Sequence, residues 1–179
     1  MLGFLLLSLI FFPTNGQAQN VTTISVQTAE TRQTIEGFGA SGAWWSQVIG
    51  GWSDENRQRV VDLLFSPTEG IGMTIYRYNL GGGEQGLIDP WRMTETFEVE
   101  AGVYDWTRDA NALWVLRAAR DAGVTDVIAF ANSPPGRMTV SGRAAGNPGG
   151  ASNLLPDLHD EFAQYLIDIT RHLIEVENI

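Results

Sequence analysis

The chain has 179 residues, the length of one ordinary domain, and its 44% hydrophobic and 10% aromatic content is that of a globular protein rather than a disordered one. A formal charge of −10 excludes the basic surface that nucleic acid or an anionic membrane attracts. With no cysteine present, disulfides and thiolate chemistry are excluded as well.

Leu2 to Phe12 form an apolar run, followed by Pro13, Asn15, Gly16 and Ala18. The run has the length of a signal-peptide core and is too short to span a bilayer. No Lys or Arg precedes Arg32, so the usual positive start is missing. A secretory signal over residues 1–19, cut near Ala18 or Gln19, is still preferred to a buried core helix. It predicts an extracellular protein without membrane contact once the signal is removed. Asn20-Val21-Thr22 is a glycosylation sequon close to that cut.

Thr22 to Gln33 alternates loosely and predicts a half-exposed strand. Ile35 to Gly42 predicts a second strand, its glycines permitting close backbone approach, with Trp44 and Trp45 immediately after. Ser53 reads as the cap of a helix that Pro67 stops at Ser66. Gly72 to Gly83 (GMTIYRYNLGGG) predicts a buried strand opening onto a polar, glycine-rich loop. A long connection runs from Gly81 to Asp105, and its aromatic residues favour a functional role over disorder. Thr107 to Ala122 predicts a helix with Gly123 as its cap, and Thr125 to Ala131 a strand. A loop from Ser133 to Asn153 and a last helix from about Pro156 complete the order.

Strands alternating with helices imply a parallel sheet with crossover helices, an α/β architecture. Three such units are too few to close an eight-stranded (β/α) barrel, which takes about 250 residues. The chain therefore reads as the amino-terminal part of a longer protein.

Several chemistries lack their motifs. There is no GxxxxGK[ST] and no GxSxG, and no helix opens directly from Gly81-Gly82-Gly83, which disfavours phosphate-gripping loops and nucleophile-elbow hydrolases. His159 and His172, the two histidines, are not spaced as a metal pair and read as surface residues of the last helix. What remains are Trp44, Trp45, Arg77, Tyr78, Asn79, Asn132, Ser133 and Arg137 at strand ends. Aromatic faces that stack on sugar C–H faces, with amides and guanidinium that fork to hydroxyls, are sugar-binding chemistry. Trp44 and Trp45 read equally well as core packing. For Arg77 a functional role comes ahead of a structural ion pair, because a buried charge at a strand end needs a carboxylate partner, and for Asn132 a site role comes slightly ahead of a turn role before Pro134. Glycoside hydrolysis also needs two carboxyl groups, about 5 Å apart in retaining enzymes. Glu36, Glu84, Asp89 and Glu95 are candidates, of which Glu84 is placed to reach a substrate hydroxyl, yet no acid and nucleophile pair can be assigned.

The run from Gln33 to Trp45 (QTIEGFGASGAWW), YRYNLGGG from Tyr76 and FANSPPGRMTVSG from Phe130 together resemble glycoside hydrolase family 30, and within it the endo-β-1,6-galactanase-like enzymes. The resemblance implies an incomplete (β/α)8 TIM barrel over residues 35–179, with residues 20–34 supplying a leading strand to an accessory β-sandwich. It implies retaining hydrolysis of a β-linked polysaccharide without a metal or other cofactor, by a protein that is monomeric when full length. The family's acid/base glutamate ends the fourth strand and its nucleophile the seventh, both expected beyond Ile179, so this chain by itself is expected to be inactive. The residues that carry over are binding residues: Trp44 and Trp45, Arg77 near the expected nucleophile, Asn79, Glu84, Asn132 and Ser133. A tryptophan that many members place near the last motif is replaced here by Ala131-Asn132, which leaves substrate preference open. The alternatives are a non-catalytic carbohydrate-binding protein and, further off, a nucleotide-binding α/β domain.

Overall fold

The structure, a computed structural model, describes residues 22–83, 90–147 and 149–179. The chain divides into two units at Thr34/Ile35. In the first unit the expected leading strand does not form: residues 22–34 are exposed, with a single turn closed by Glu30 N donating to Gln27 O at 3.1 Å. A strand exists by pairing, and no described residue pairs with this segment.

The second unit is built on three parallel strands, β1 (Gly39–Ser41), β2 (Ile75–Leu80) and, after a short antiparallel hairpin of β3 (Glu98–Glu100) and β4 (Val103–Tyr104), β5 (Asp126–Ala131). The parallel sheet has the order β1-β2-β5, with Ser41 beside Arg77 and Asn79 beside Phe130. Two helices cross over between these strands: α2 (Asp54–Phe65) and α3 (Ala110–Ala122). A short α1 (Trp45–Ile49) precedes α2, and α4 (His159–Glu175) follows β5 after the long loop. The expected alternation of strands and helices is therefore present. At Gly39 an added Cβ would lie 2.0 Å from Ile75 O, so the close approach of β1 to β2 requires glycine.

The period of β2 decides where the core lies. Tyr76, Tyr78 and Leu80 point to one face and are at most 2% exposed, packed with Val61 and Phe65 of α2 and Leu113 and Leu116 of α3. Ser53 does cap α2 by position, but its side chain makes no cap bond. α3 starts three residues later than expected because Asp109, at φ 52°, has the left-handed backbone that helix cannot continue through.

The long connection is more structured than expected. Its hairpin is fastened to α4, where Tyr104 Oη donates to Asp168 Oδ2 at 3.1 Å, and to the β5 loop, where Arg137 forks onto Glu98 at 2.7 and 2.9 Å. Arg137 also reaches Glu161 of α4 at 2.6 Å, so it clamps three segments. His172 is not the surface residue expected: its side chain is 12% exposed and stacks on Trp106 at 3.8 Å, which in turn stacks on Tyr104 at 4.9 Å. Among the described residues no helix is long and apolar enough to cross a membrane.

Candidate functional site

Parallel strands present their carboxyl ends together, and polar residues placed just there converge. The last residues of β2, the glycines after it and the first residues after β5 border a cavity of about 430 Å³, within the usual size range of small-ligand sites. Four residues singled out from sequence line it: Trp44, Asn79, Asn132 and Ser133.

Trp44 is delivered by the turn between β1 and α1. Ala43 N donates to Ser41 Oγ at 3.1 Å and Ser46 N to Gly42 O at 3.1 Å, and between them Trp44 is held at φ 56°. A bulky residue in the left-handed region carries strain of order 1–3 kcal/mol, and such strain clusters at ligand sites. The Arg92 guanidinium lies 4.8 Å over the Trp44 ring and 4.9 Å over Trp91, and the two indoles meet edge to face at 6.0 Å. The result is an aromatic wall with a cation set into it.

Asn79 forms the floor. Its amide is buried, Nδ2 donates to Thr94 Oγ1 at 3.2 Å, and Oδ1 accepts no hydrogen bond from any described residue. A buried carbonyl acceptor without a partner carries a desolvation cost, and Asn79 is among the residues that line the cavity. Asn132 is exposed at the opposite rim, and Ser133 Oγ turns back to Pro134 O at 2.9 Å. Gly82 lies between the β2 and β5 loops, where an added Cβ would come within 2.7 Å of Pro134 O; Gly136 N donates to Gly82 O at 3.1 Å.

The other expected residues lie elsewhere. Trp45 faces the core: Nε1 donates to Ser41 O at 2.8 Å and its ring meets Tyr76 edge on at 6.2 Å. Arg77 lies outside the cavity lining, on the inner face of the sheet, where Nε donates to Ser41 Oγ at 3.1 Å and the guanidinium covers Phe130 at 4.1 Å. Glu84 and Asp89 fall outside the described residues. Glu36 is exposed, while the Glu95 carboxylate is engaged within the fold, its Oε2 accepting Asp109 N at 2.8 Å. Sequence reasoning missed Arg92 and Thr94 in the lining. The one hint was their position just after Trp91 in a connection too long for a plain link.

On the helix side of β2, Tyr78 Oη donates to Asp109 Oδ2 at 2.6 Å. Burial raises the Asp109 carboxyl to about 7, against the pull of that hydrogen bond and with the nearby Glu95 charge adding to the rise.

The cavity can thus stack a ring on indole and hold hydroxyls with amides and guanidinium. Among the described residues, no carboxylate lines it. The model of O-glycosyl hydrolase family 30 matches residues 21–178, nearly the whole chain. The chain belongs to that family. An endo-β-1,6-galactanase of Hypocrea rufa is 26% identical to it over 193 aligned positions, covering 93% of this chain and 39% of the galactanase. An exo-β-1,6-galactobiohydrolase of Bifidobacterium longum is 25% identical over 201 positions, covering 78% of this chain and 13% of that enzyme. Among solved structures, a conserved exported protein of Bacteroides fragilis superposes with a TM-score of 0.77 at 31% identity, over 83% of this chain and 33% of that one. This family 30 chain spans well under half the length of each of these relatives.

Proposed function

We propose that this chain is the amino-terminal part of a secreted, retaining glycoside hydrolase whose substrate is a β-linked polysaccharide, β-1,6-galactan. In this reading residues 35–179 are the first three units of a (β/α)8 barrel, residues 1–19 are a signal peptide, and residues 20–34 pair into an accessory β-sandwich only alongside further strands. The observation that carries the reading is the cavity at the carboxyl end of β2 and β5, where Trp44, Asn79, Asn132 and Ser133 meet. Its chemistry suits a neutral sugar, and two relatives are named for β-1,6-galactan linkages. Trp44 stacks on a sugar face, Asn79 Oδ1 and the Asn132 amide take hydroxyls, and Arg77 steadies a nucleophile carboxylate supplied by a later strand.

The purified chain, titrated with β-1,6-galactotriose while its tryptophan fluorescence is followed, is expected to bind and to release no reducing sugar. Hydrolysis by the chain itself would overturn its assignment as a binding part, and absence of binding would overturn the substrate. A second reading, a carbohydrate-binding protein without turnover, is favoured by the lack of a carboxylate among the described lining residues. Hydrolysis by the longest natural polypeptide containing this chain would exclude it.

A further inference from the structure

Trp44 and Trp45 are adjacent in the chain yet have opposite destinations, one in the cavity lining and the other against the core. We infer that Ser41, which lies outside that lining, is the positioning residue behind this division: its hydroxyl holds the turn that delivers Trp44 to the sugar. The inference rests on the glycan-binding reading above.

Three observations carry it. Ser41 acts on the two indoles through different atoms. Its backbone oxygen accepts Trp45 Nε1 at 2.8 Å, which pins that ring inward, while its Oγ accepts Ala43 N at 3.1 Å and closes the turn ahead of Trp44. That turn also needs holding. Trp44 has φ 56° and ψ −37°, and a bulky residue keeps such a backbone only where its surroundings fix it. Trp45 N to Ala43 O at 2.7 Å and Ser46 N to Gly42 O at 3.1 Å contribute from the backbone. The Ser41 hydroxyl adds a side-chain bond to the peptide just before the strained residue. Finally, Ser41 is itself anchored from β2. Its register partner is Arg77, whose Nε donates to the same Oγ at 3.1 Å, and Gly42 N donates to Arg77 O at 2.9 Å. A hydroxyl oxygen has two lone pairs, and here one serves the strand and the other the turn. A link therefore runs from the core strand through Arg77 and Ser41 Oγ to the backbone that aims Trp44.

The test separates the hydroxyl from the shape of the side chain. Ser41→Thr keeps the hydroxyl, and Ser41→Val has the shape of threonine without it. The extra methyl has room, because Ser41 borders an open cavity of about 330 Å³ on the inner face of the sheet. Affinity for β-1,6-galactotriose is measured by ligand-observed NMR on the whole 179-residue chain. The Trp44 indole N–H, assigned with Trp44→Phe, is followed in heteronuclear spectra. Ser41→Thr is expected to bind as wild type does. Ser41→Val is expected to bind about tenfold more weakly, with the Trp44 resonance displaced and the Trp45 resonance in place. In a Trp44→Ala background the difference between the two variants is expected to vanish, since a residue acting through Trp44 then has nothing to position. Where Ser41→Val does not fold, Ser41→Ala gives the same comparison. A merely structural serine would lower stability alike in both backgrounds and leave the Trp44 resonance unmoved. Equal affinity of the two variants in a chain that binds would overturn the inference alone, as would a difference that persists at full size without Trp44. If wild type binds no galactotriose, the glycan reading itself falls and this inference falls with it.

Discussion

The two faces of β2 have opposite fates. Tyr76, Tyr78 and Leu80 on the helix side are at most 2% exposed and form the centre of the core. On the other side Arg77 lies among open neighbours, with Ile128 of β5, its register partner, 51% exposed. One strand six residues long therefore anchors the fold with every second side chain and offers two polar groups, Arg77 and Asn79, on its other face. Only where the inner face reaches the carboxyl end does it become enclosed, and there Asn79 is 4% exposed. Stability and recognition are separated by the period of the strand, so each can be perturbed without the other.

The largest expected effect concerns the buried carboxylate behind the sheet. Asp109 titrates at about 7 in the folded chain against 3.8 ordinarily, so between those values the folded state holds a proton that the unfolded state has lost. Its contribution to stability is complete below about pH 4 and is lost as pH rises through 7. At about 1.4 kcal/mol per unit the ceiling is about 4 kcal/mol. Urea unfolding at pH 5 and pH 8 is expected to show wild type losing stability relative to Asp109→Asn. Parallel behaviour of the two would remove this cost from the helix-side face.

The next contrast sets the faces directly against one another. Leu116→Ala, at a fully buried position of α3, is expected to cost about 3 kcal/mol. Ile128→Ala on the open face is expected to cost less than about 1 kcal/mol, because little apolar surface leaves water there. Equal losses in chemical denaturation would mean that the inner face is covered in solution.

Much of the fold follows from local pattern. The apolar periodicity of α2 and α3, Pro67 ending the first and Gly123 the second, and the proline opening the turn before α4 were all readable along the chain. The hairpin Glu98–Tyr104 was not, because its strands are two and three residues long and are held by distant partners, Arg137 and Asp168. The buried place of His172 likewise depends on Trp106, sixty-odd residues earlier, which no helical period records. For the candidate site, Trp44, Asn79, Asn132 and Ser133 were readable because the end of a parallel strand is a place that topology alone brings together. Trp45 was harder to place, since which of two adjacent indoles faces the cavity depends on the left-handed turn at Trp44. Arg92 and Thr94 come from a connection whose path no local rule sets.

In the proposed division of labour the enclosed end of the inner face binds sugar while the helix side holds the fold. Asn132→Ala tests it most directly, because Asn132 lines the cavity from an exposed position outside the core. Galactotriose affinity is expected to fall about tenfold, the worth of one good hydrogen bond, with an unchanged unfolding curve. Unaltered affinity would contradict it.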